Sequence, residues 1–426
     1  MPDIAGLPRL DGVTTTENWT GRRLPLEVGP VAHGGHCVAR YEGRVVFVRH
    51  ALPGEQVLAV VTEDRGGSFC RADAVEIRRA SPERVEAPCE HARPGGCGGC
   101  DFQHVSGPGQ RALKATVIAE QLRRLAGLER TVEVQPLSAA LLGWRRRIRF
   151  AVDEQGYLGL HQHRSHHLVR LTHCPLGASG VGDAEALAEP WPGLKEVELA
   201  VDDGGVVAAV GYAAPERPRR GRSRPTLKPQ KLSGPDRLHY RVGARSFELR
   251  PAGFWQTHPQ AAEVFTDAVL LAARLQPGER ALDLYAGAGL FTAALAEAVG
   301  VTGSVLGLEG DRTAVEDAAR NLADLPWASV RREPVTAKAV ADSSKPDVVV
   351  LDPPRTGAGR EVMAAVLDLA PRTVVYVACD PAALARDLKV ALDRGWQLTT
   401  ITGYDAYPMT HHVECIAVLE PAAISN

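Results

Sequence analysis

Apolar and polar positions alternate in short runs over residues 22 to 80, through LPLEV, HCVARYEG, RVVFVRH, EQVLAVVTED and ADAVEIRRA, with HGGH, LPGE and RGGS between them. A period of two broken by glycine- and proline-bearing turns predicts short strands, and five of them predict a small all-β barrel of the kind that carries oligonucleotides on one face. The period lengthens at 108 to 126, where Leu113, Val117, Ile118, Gln121, Leu122 and Leu125 recur at helical spacing. Residues 132 to 254 mix strand-like segments with a Pro/Arg/Lys-rich run at 214 to 231, and predict a β-containing middle domain. From about 261 the pattern changes again. Apolar strands ALDLY, SVLGLE, PDVVVLD and TVVYVA alternate with helical runs at 289–299, 312–323, 359–369 and 382–393. That alternation predicts a mostly parallel, doubly wound α/β sheet.

The periods thus divide the chain into a tail at 1–20, a barrel at 21–82, a middle domain at 83–255 and an α/β domain at 256–422. A length of 426 residues agrees, being about three times the usual domain size. Hydrophobic content of 45% with 23% charged residues is that of a globular chain. No window approaches 18 apolar residues and the first residues lack a signal-peptide pattern, so the expected compartment is the cytoplasm, with no membrane partner. The net charge of −2 argues neither for nor against nucleic acid. Local runs change that, because Arg145, Arg146, Arg147 and Arg149 crowd into WRRRIRF and would attract phosphate. The 214–231 run reads first as a solvated linker.

Candidate chemistry lies where strands end. ALDLYAGAGLFT sets Gly287 and Gly289 where a buried strand turns into a helix, so that backbone amides can meet a ligand, and Glu309 closes the next strand, where a carboxylate can accept ribose hydroxyls. The third glycine of the dinucleotide fingerprint is missing, which favours S-adenosylmethionine over NAD. Asp352 in LDPPR ends another buried strand in a stiff loop at the ligand-binding edge of the sheet. Cys379 follows TVVYVA and precedes Asp380-Pro381, an N-cap and a first-turn proline. The reading is a thiol at a helix N-terminus with its pKa lowered. Glu414 opens the last apolar run, a place unusual enough for a carboxylate to suggest proton transfer. One thiolate to add at C6 of a uracil and one carboxylate to remove the C5 proton suffice for methylation at C5. Eight cysteines are too few and too uneven for a disulfide framework. Cys97-x2-Cys100 with two further cysteines suits zinc about as well as an iron-sulfur cluster.

Together, GGHCVARYEGRVVFVRHALPGE, CGGCDFQH, FWQTHP, LDLYAGAGLF, LDPPR, ACDP and HHVE resemble the RNA 5-methyluridine methyltransferase family over about residues 22 to 420. The resemblance implies an N-terminal TRAM (OB-like) β-barrel, a middle RNA-binding domain with an iron-sulfur loop, and a Rossmann-like S-adenosylmethionine-dependent methyltransferase domain. It implies Cys379 as nucleophile and Glu414 as base, with cofactor contacts from Gln256, Tyr285, Glu309 and Asp352. It also implies Cys89, Cys97, Cys100 and Cys174 as ligands of a [4Fe-4S] cluster, which tips the balance from zinc, and an RNA partner, ribosomal rather than transfer RNA; a monomer is the default expectation. The chain departs from the family at His258 and Asp380, where Asn is usual, and in the seven residues between Cys89 and Cys97. Two other readings remain: a methyltransferase acting on another RNA base or a small molecule, with Cys379 inert, and a non-catalytic iron-sulfur RNA-binding protein.

Overall fold

The computed structural model describes residues 17–213 and 228–422. The tail through residue 16 and residues 214–227 of the basic run lie outside the described residues. Strands Arg23–Glu27, Cys37–Tyr41, Arg44–Arg49, Gln56–Asp64 and Phe69–Arg79 form one five-stranded sheet in the order 23–27, 56–64, 69–79, 44–49, 37–41. Its alternation is the one read from the sequence. Leu24, Leu26, Val46, Val48, Val57, Ala59 and Val61 turn inward on a common core with Trp19. One ion pair is sealed inside: Arg44 and Asp64 meet at 2.6 Å with side chains 1% and 0% exposed, and the guanidinium holds the Asp64 carboxyl down at about 2.

The middle region is a six-stranded antiparallel sheet in the order Pro229–Ser233, Val207–Ala213, Leu194–Val201, Arg147–Val152, Leu158–His161, Leu168–Arg170. Its pairing corrects the expectation for WRRRIRF. Arg147 and Arg149 both bind Glu198 on the neighbouring strand, Arg149 also approaches Glu196, and Arg146 binds Asp203, so three of the four guanidiniums are paired within the domain. A hairpin, Leu238–Val242 with Arg245–Leu249, follows; Leu238, Tyr240, Phe247 and Leu249 are buried in the same core as Trp255 and Phe265 of the α/β region.

The α/β region is built on an eight-stranded sheet. Its order is Ala328–Arg332, Ser304–Glu309, Arg280–Leu284, Val348–Leu351, Thr373–Ala378, Glu414–Pro421, Trp396–Asp405 and Val134–Pro136. The first five are parallel; Glu414–Pro421 is inserted antiparallel between its two neighbours. Helices Leu290–Val299, Arg312–Asn321, Arg360–Asp368 and Pro381–Leu392 alternate with the strands as expected. Winding reverses between Arg280–Leu284 and Val348–Leu351, and the crevice beyond the carboxyl ends of such strands is where ligands bind in this architecture. The helix Gly107–Gln121, capped by Ser106, joins the barrel to this sheet and hides two polar side chains, Gln110 and Lys114. Among the described residues no helix is long and apolar enough to cross a membrane.

Candidate active site

At the winding reversal Gly287 and Gly289 adopt φ of +55° and +88°, and Gly289 caps the helix Leu290–Val299. A side chain is strained in that region of backbone space, which accounts for the glycines. Glu309 fastens the turn: its carboxylate accepts the Gly287 N–H at 3.0 Å and the Asp311 N–H at 2.7 Å. Tyr285 stands beside it with φ of +66°. Asp283, one step earlier, is fully buried; Oδ2 accepts from the Thr292 hydroxyl and Oδ1 has no partner. Burial raises its carboxyl to about 7, and burial together with Asp283 raises Asp352 likewise to about 7. Asp283 is enclosed and Asp352 half-buried, and an acidic pair of this kind favours a cation beside it. The donor set therefore fits the sulfonium and ammonium of S-adenosylmethionine.

Next to these loops opens a cleft of about 710 Å³, lined on one side by Gln256, Asp352, Cys379 and Glu414 and on the other by Gly98, Gly99, Asp101, Trp144 and Arg145. Four of the sequence-read residues thus share one cavity. Tyr285, Gly287, Gly289 and Glu309 sit on the adjoining strand-end loops outside its lining, joined to it where the Asp352 N–H donates to the Leu284 carbonyl at 3.2 Å. The loop after Asp352 is pinned to the helix that follows Cys379, because Asp387 accepts from Ala358 N–H at 2.8 Å and from the Tyr376 hydroxyl at 2.6 Å.

Cys379 does stand before a capped helix, with Asp380 accepting the Ala383 N–H at 2.8 Å. Its acidity runs opposite to expectation. Burial, then Glu414 and Asp352, push the thiol up to about 12, outweighing any help from the helix end. Glu414 is the first residue of its strand and 3% exposed; burial and then Asp352 raise it well above the usual carboxylate range. The Tyr407 hydroxyl donates to Glu414 at 3.3 Å, and Tyr407 packs edge-on to Trp144, which stacks on His258.

The segment from Asp405 to Glu414 is strapped down from three sides. Lys114 Nζ donates to Asp405 at 2.5 Å and to the Tyr407 carbonyl at 3.0 Å; Gln110 accepts the Met409 N–H at 2.7 Å. Asp101 accepts from the His411 backbone at 3.1 Å and bonds its Nδ1 at 2.6 Å. From the barrel, His33 meets Asp380 at 3.0 Å, and Gly35 lies so close that a Cβ there would be 2.6 Å from His411 Cβ. None of Asp101, Gln110, Lys114, Trp144, Arg355 or Tyr407 was singled out by its motif; these contacts form only in three dimensions.

Cys97, Cys100 and Cys174 share the apolar core under the middle sheet, and charge on Cys174 is felt at Cys89, Cys97 and Cys100 alike. Gln103 bridges two of them, accepting the Cys89 N–H at 3.1 Å and donating to Cys100 Sγ at 3.1 Å. Among the described residues no three His, Cys, Asp or Glu side chains are disposed around a single metal ion.

Residues 240–422 match the family described as tRNA (uracil-5-)-methyltransferase, and residues 19–75 match the TRAM domain. The chain is 45% identical to an uncharacterized RNA methyltransferase of Streptomyces avermitilis, across 95% of this chain and 99% of that one. It is 34% identical to the 23S rRNA (uracil(1939)-C(5))-methyltransferase RlmD of Methylococcus capsulatus, across 94% and 99%. The chain belongs to the RNA (uracil-5-)-methyltransferase family. In fold, this family member follows the Pyrococcus abyssi tRNA (uracil-54, C5)-methyltransferase solved with S-adenosyl-L-homocysteine, with a TM-score of 0.68 over 93% of this chain and 100% of that one at 23% identity. Its S-adenosylmethionine-dependent methyltransferase domain supplies Cys379 to the cleft, and His33 of its TRAM barrel meets Asp380 beside that cysteine.

Proposed function

We propose that the protein methylates C5 of a uridine in RNA, ribosomal RNA in the first place, through a covalent adduct between Cys379 and C6. The observation that carries this reading is the meeting of Cys379, Glu414 and Asp352 in one cleft between the middle domain and the winding reversal of the sheet. Uracil C5 is a poor nucleophile. Addition of the Cys379 thiolate at C6 places the electron pair on C5 as an enolate; S-adenosylmethionine supplies the methyl group. Glu414 then takes the C5 proton, and the Sγ–C6 bond breaks. Asp352, Asp283, Glu309, Gln256, Tyr285 and the Gly287–Gly289 turn are the residues to hold the donor. Phe254, 69% exposed at the mouth, offers an apolar face to a base swung out of its stack.

The division of labour is a barrel at 21–82 and a middle domain at 83–255 that hold RNA, and a catalytic domain at 256–422. Ribosomal RNA is favoured by the whole-length likeness to the Methylococcus capsulatus enzyme. Cys89, Cys97, Cys100 and Cys174 would hold a [4Fe-4S] cluster. The cluster's part is structural: Asp101, next to Cys100, holds His411 and through it the start of the Glu414 strand.

The test is incubation of wild type and Cys379→Ala with labelled S-adenosylmethionine and total RNA from a strain lacking the gene, followed by nucleoside analysis. Label in 5-methyluridine of 23S RNA with wild type alone is the expected result. Label in another nucleoside, or activity in the variant, overturns the adduct reading; label in transfer RNA overturns the choice of RNA.

A further inference from the structure

Among the described residues Asp352 and Glu414, in the cleft, and Asp283, behind it, form no ion pair with a lysine or arginine. Asp283 is 0% exposed with Oδ1 unpartnered, Asp352 stands beside it, and Glu414 receives its one described side-chain hydrogen bond from the neutral Tyr407 hydroxyl. Cys379 faces Glu414 and Asp352, with Asp380 behind it tied to His33. Two arginines line the same cleft: Arg145, and Arg355, which is exposed and directed at His412 Nε2 at 3.4 Å. Neighbouring acids in a buried site cannot all ionise at once. Yet the reaction proposed above needs a thiolate at its start and a competent carboxylate base at its end.

We propose, resting on that methylation reading, that the protonation of Cys379 follows the charge on the methyl donor: a sulfonium in the cleft supplies a cation to this group of acids and releases the thiol proton. C5 and C6 of a uracil are bonded neighbours, so the donor sulfur and Cys379 Sγ must approach the same edge of one ring. On binding, the Cys379 S–H bond breaks and its proton passes to water through the open mouth; Glu414 loses its own proton by the same route. Sγ then bonds C6, the C5=C6 pair takes the methyl group, and the sulfonium bonding pair stays on sulfur. The thiolate and the sulfonium have neutralised each other, so the net charge beside Asp352 and Glu414 is unchanged. The Glu414 carboxylate takes the C5 proton, and the freed pair reforms C5=C6 as Sγ leaves.

The experiment uses the full-length protein without RNA, after equilibrium dialysis has established saturation with S-adenosylmethionine or S-adenosylhomocysteine. Alkylation of Cys379 by iodoacetamide is followed by mass spectrometry of its peptide, which separates it from the other seven cysteines. The two ligands differ by one methyl group and one charge. An opposite charge at close range moves a pKa by ~1 unit or more, so alkylation near neutral pH is expected roughly tenfold faster with S-adenosylmethionine. Shielding by the extra methyl group would act in the opposite sense. Asp352→Asn is expected to quicken alkylation with S-adenosylhomocysteine and to bring the ratio towards one. Equal rates with the two ligands, or an undiminished ratio in Asp352→Asn, overturn the proposal while leaving Cys379-dependent formation of 5-methyluridine intact. Failure of both ligands to bind overturns the methylation reading and this proposal together.

Discussion

Glu414 is the residue on which the order of events turns. With Gln in its place the thiolate still adds and C5 still receives its methyl group, but the C5 proton has no acceptor. Glu414→Gln is therefore expected to accumulate a protein–RNA adduct that survives denaturing electrophoresis, with methylated product reduced at least 100-fold, the scale of a lost general base. Free RNA at wild-type yield would show that another group takes the proton. Cys379, Glu414, Asp352 and the Gly287–Gly289 turn were legible in the sequence because each stands at a fixed point of local grammar, the end or start of a buried strand. Their acidities were not legible. A helix end is visible in Asp380-Pro381, but the carboxylates that oppose it arrive from Glu414 and Asp352, 35 and 27 residues away in the chain. WRRRIRF misled in the same way, since Glu198 and Asp203, which pair with three of its arginines, lie about fifty residues on.

The barrel strands, four of the five parallel strands and the four helices named with them were readable to within about three residues, because period and turn chemistry are local properties, whereas the edge strand Ala328–Arg332 and the helix Ala261–Ala273 were not read. The helix Gly107–Gln121 was readable as a helix but not in what it does. Its apolar spacing accounts for Val117, Ile118 and Leu122, whereas Gln110 and Lys114 look like solvent-facing residues and are fully enclosed. They hold the backbone of the Asp405–Glu414 segment, the first through Met409 and the second through Asp405 and Tyr407. Removing one member of a buried pair strands the other charge at a cost of about 3–5 kcal/mol. Lys114→Met is accordingly expected to lower the free energy of unfolding by about that amount, read as a fall in denaturant midpoint with unchanged m-value. A loss below ~1 kcal/mol would mean that the Lys114–Asp405 contact contributes little to holding the segment.

At the scale of the molecule the barrel is part of the active-site wall as well as a neighbour of it, touching the nucleophile's helix through His33 and the approach to Glu414 through Gly35. Gly35 has φ of +81°, so a methyl group there strains the loop and drives into His411. Gly35→Ala is expected to reduce turnover on RNA by ten- to a hundredfold, as small misplacements of reacting groups do, while binding of S-adenosylmethionine, held by the far loops, stays within twofold. Equal losses in both would point to general unfolding. The inserted strand Glu414–Pro421 has a consequence of another kind. It fills the gap between Thr373–Ala378 and Trp396–Asp405, yet it follows both in the chain. During synthesis those two strands leave the ribosome with open edges facing each other, and nothing upstream can close them. The catalytic domain is thus assembled in one late step, when a nascent chain gains its base and loses its stickiest surface together.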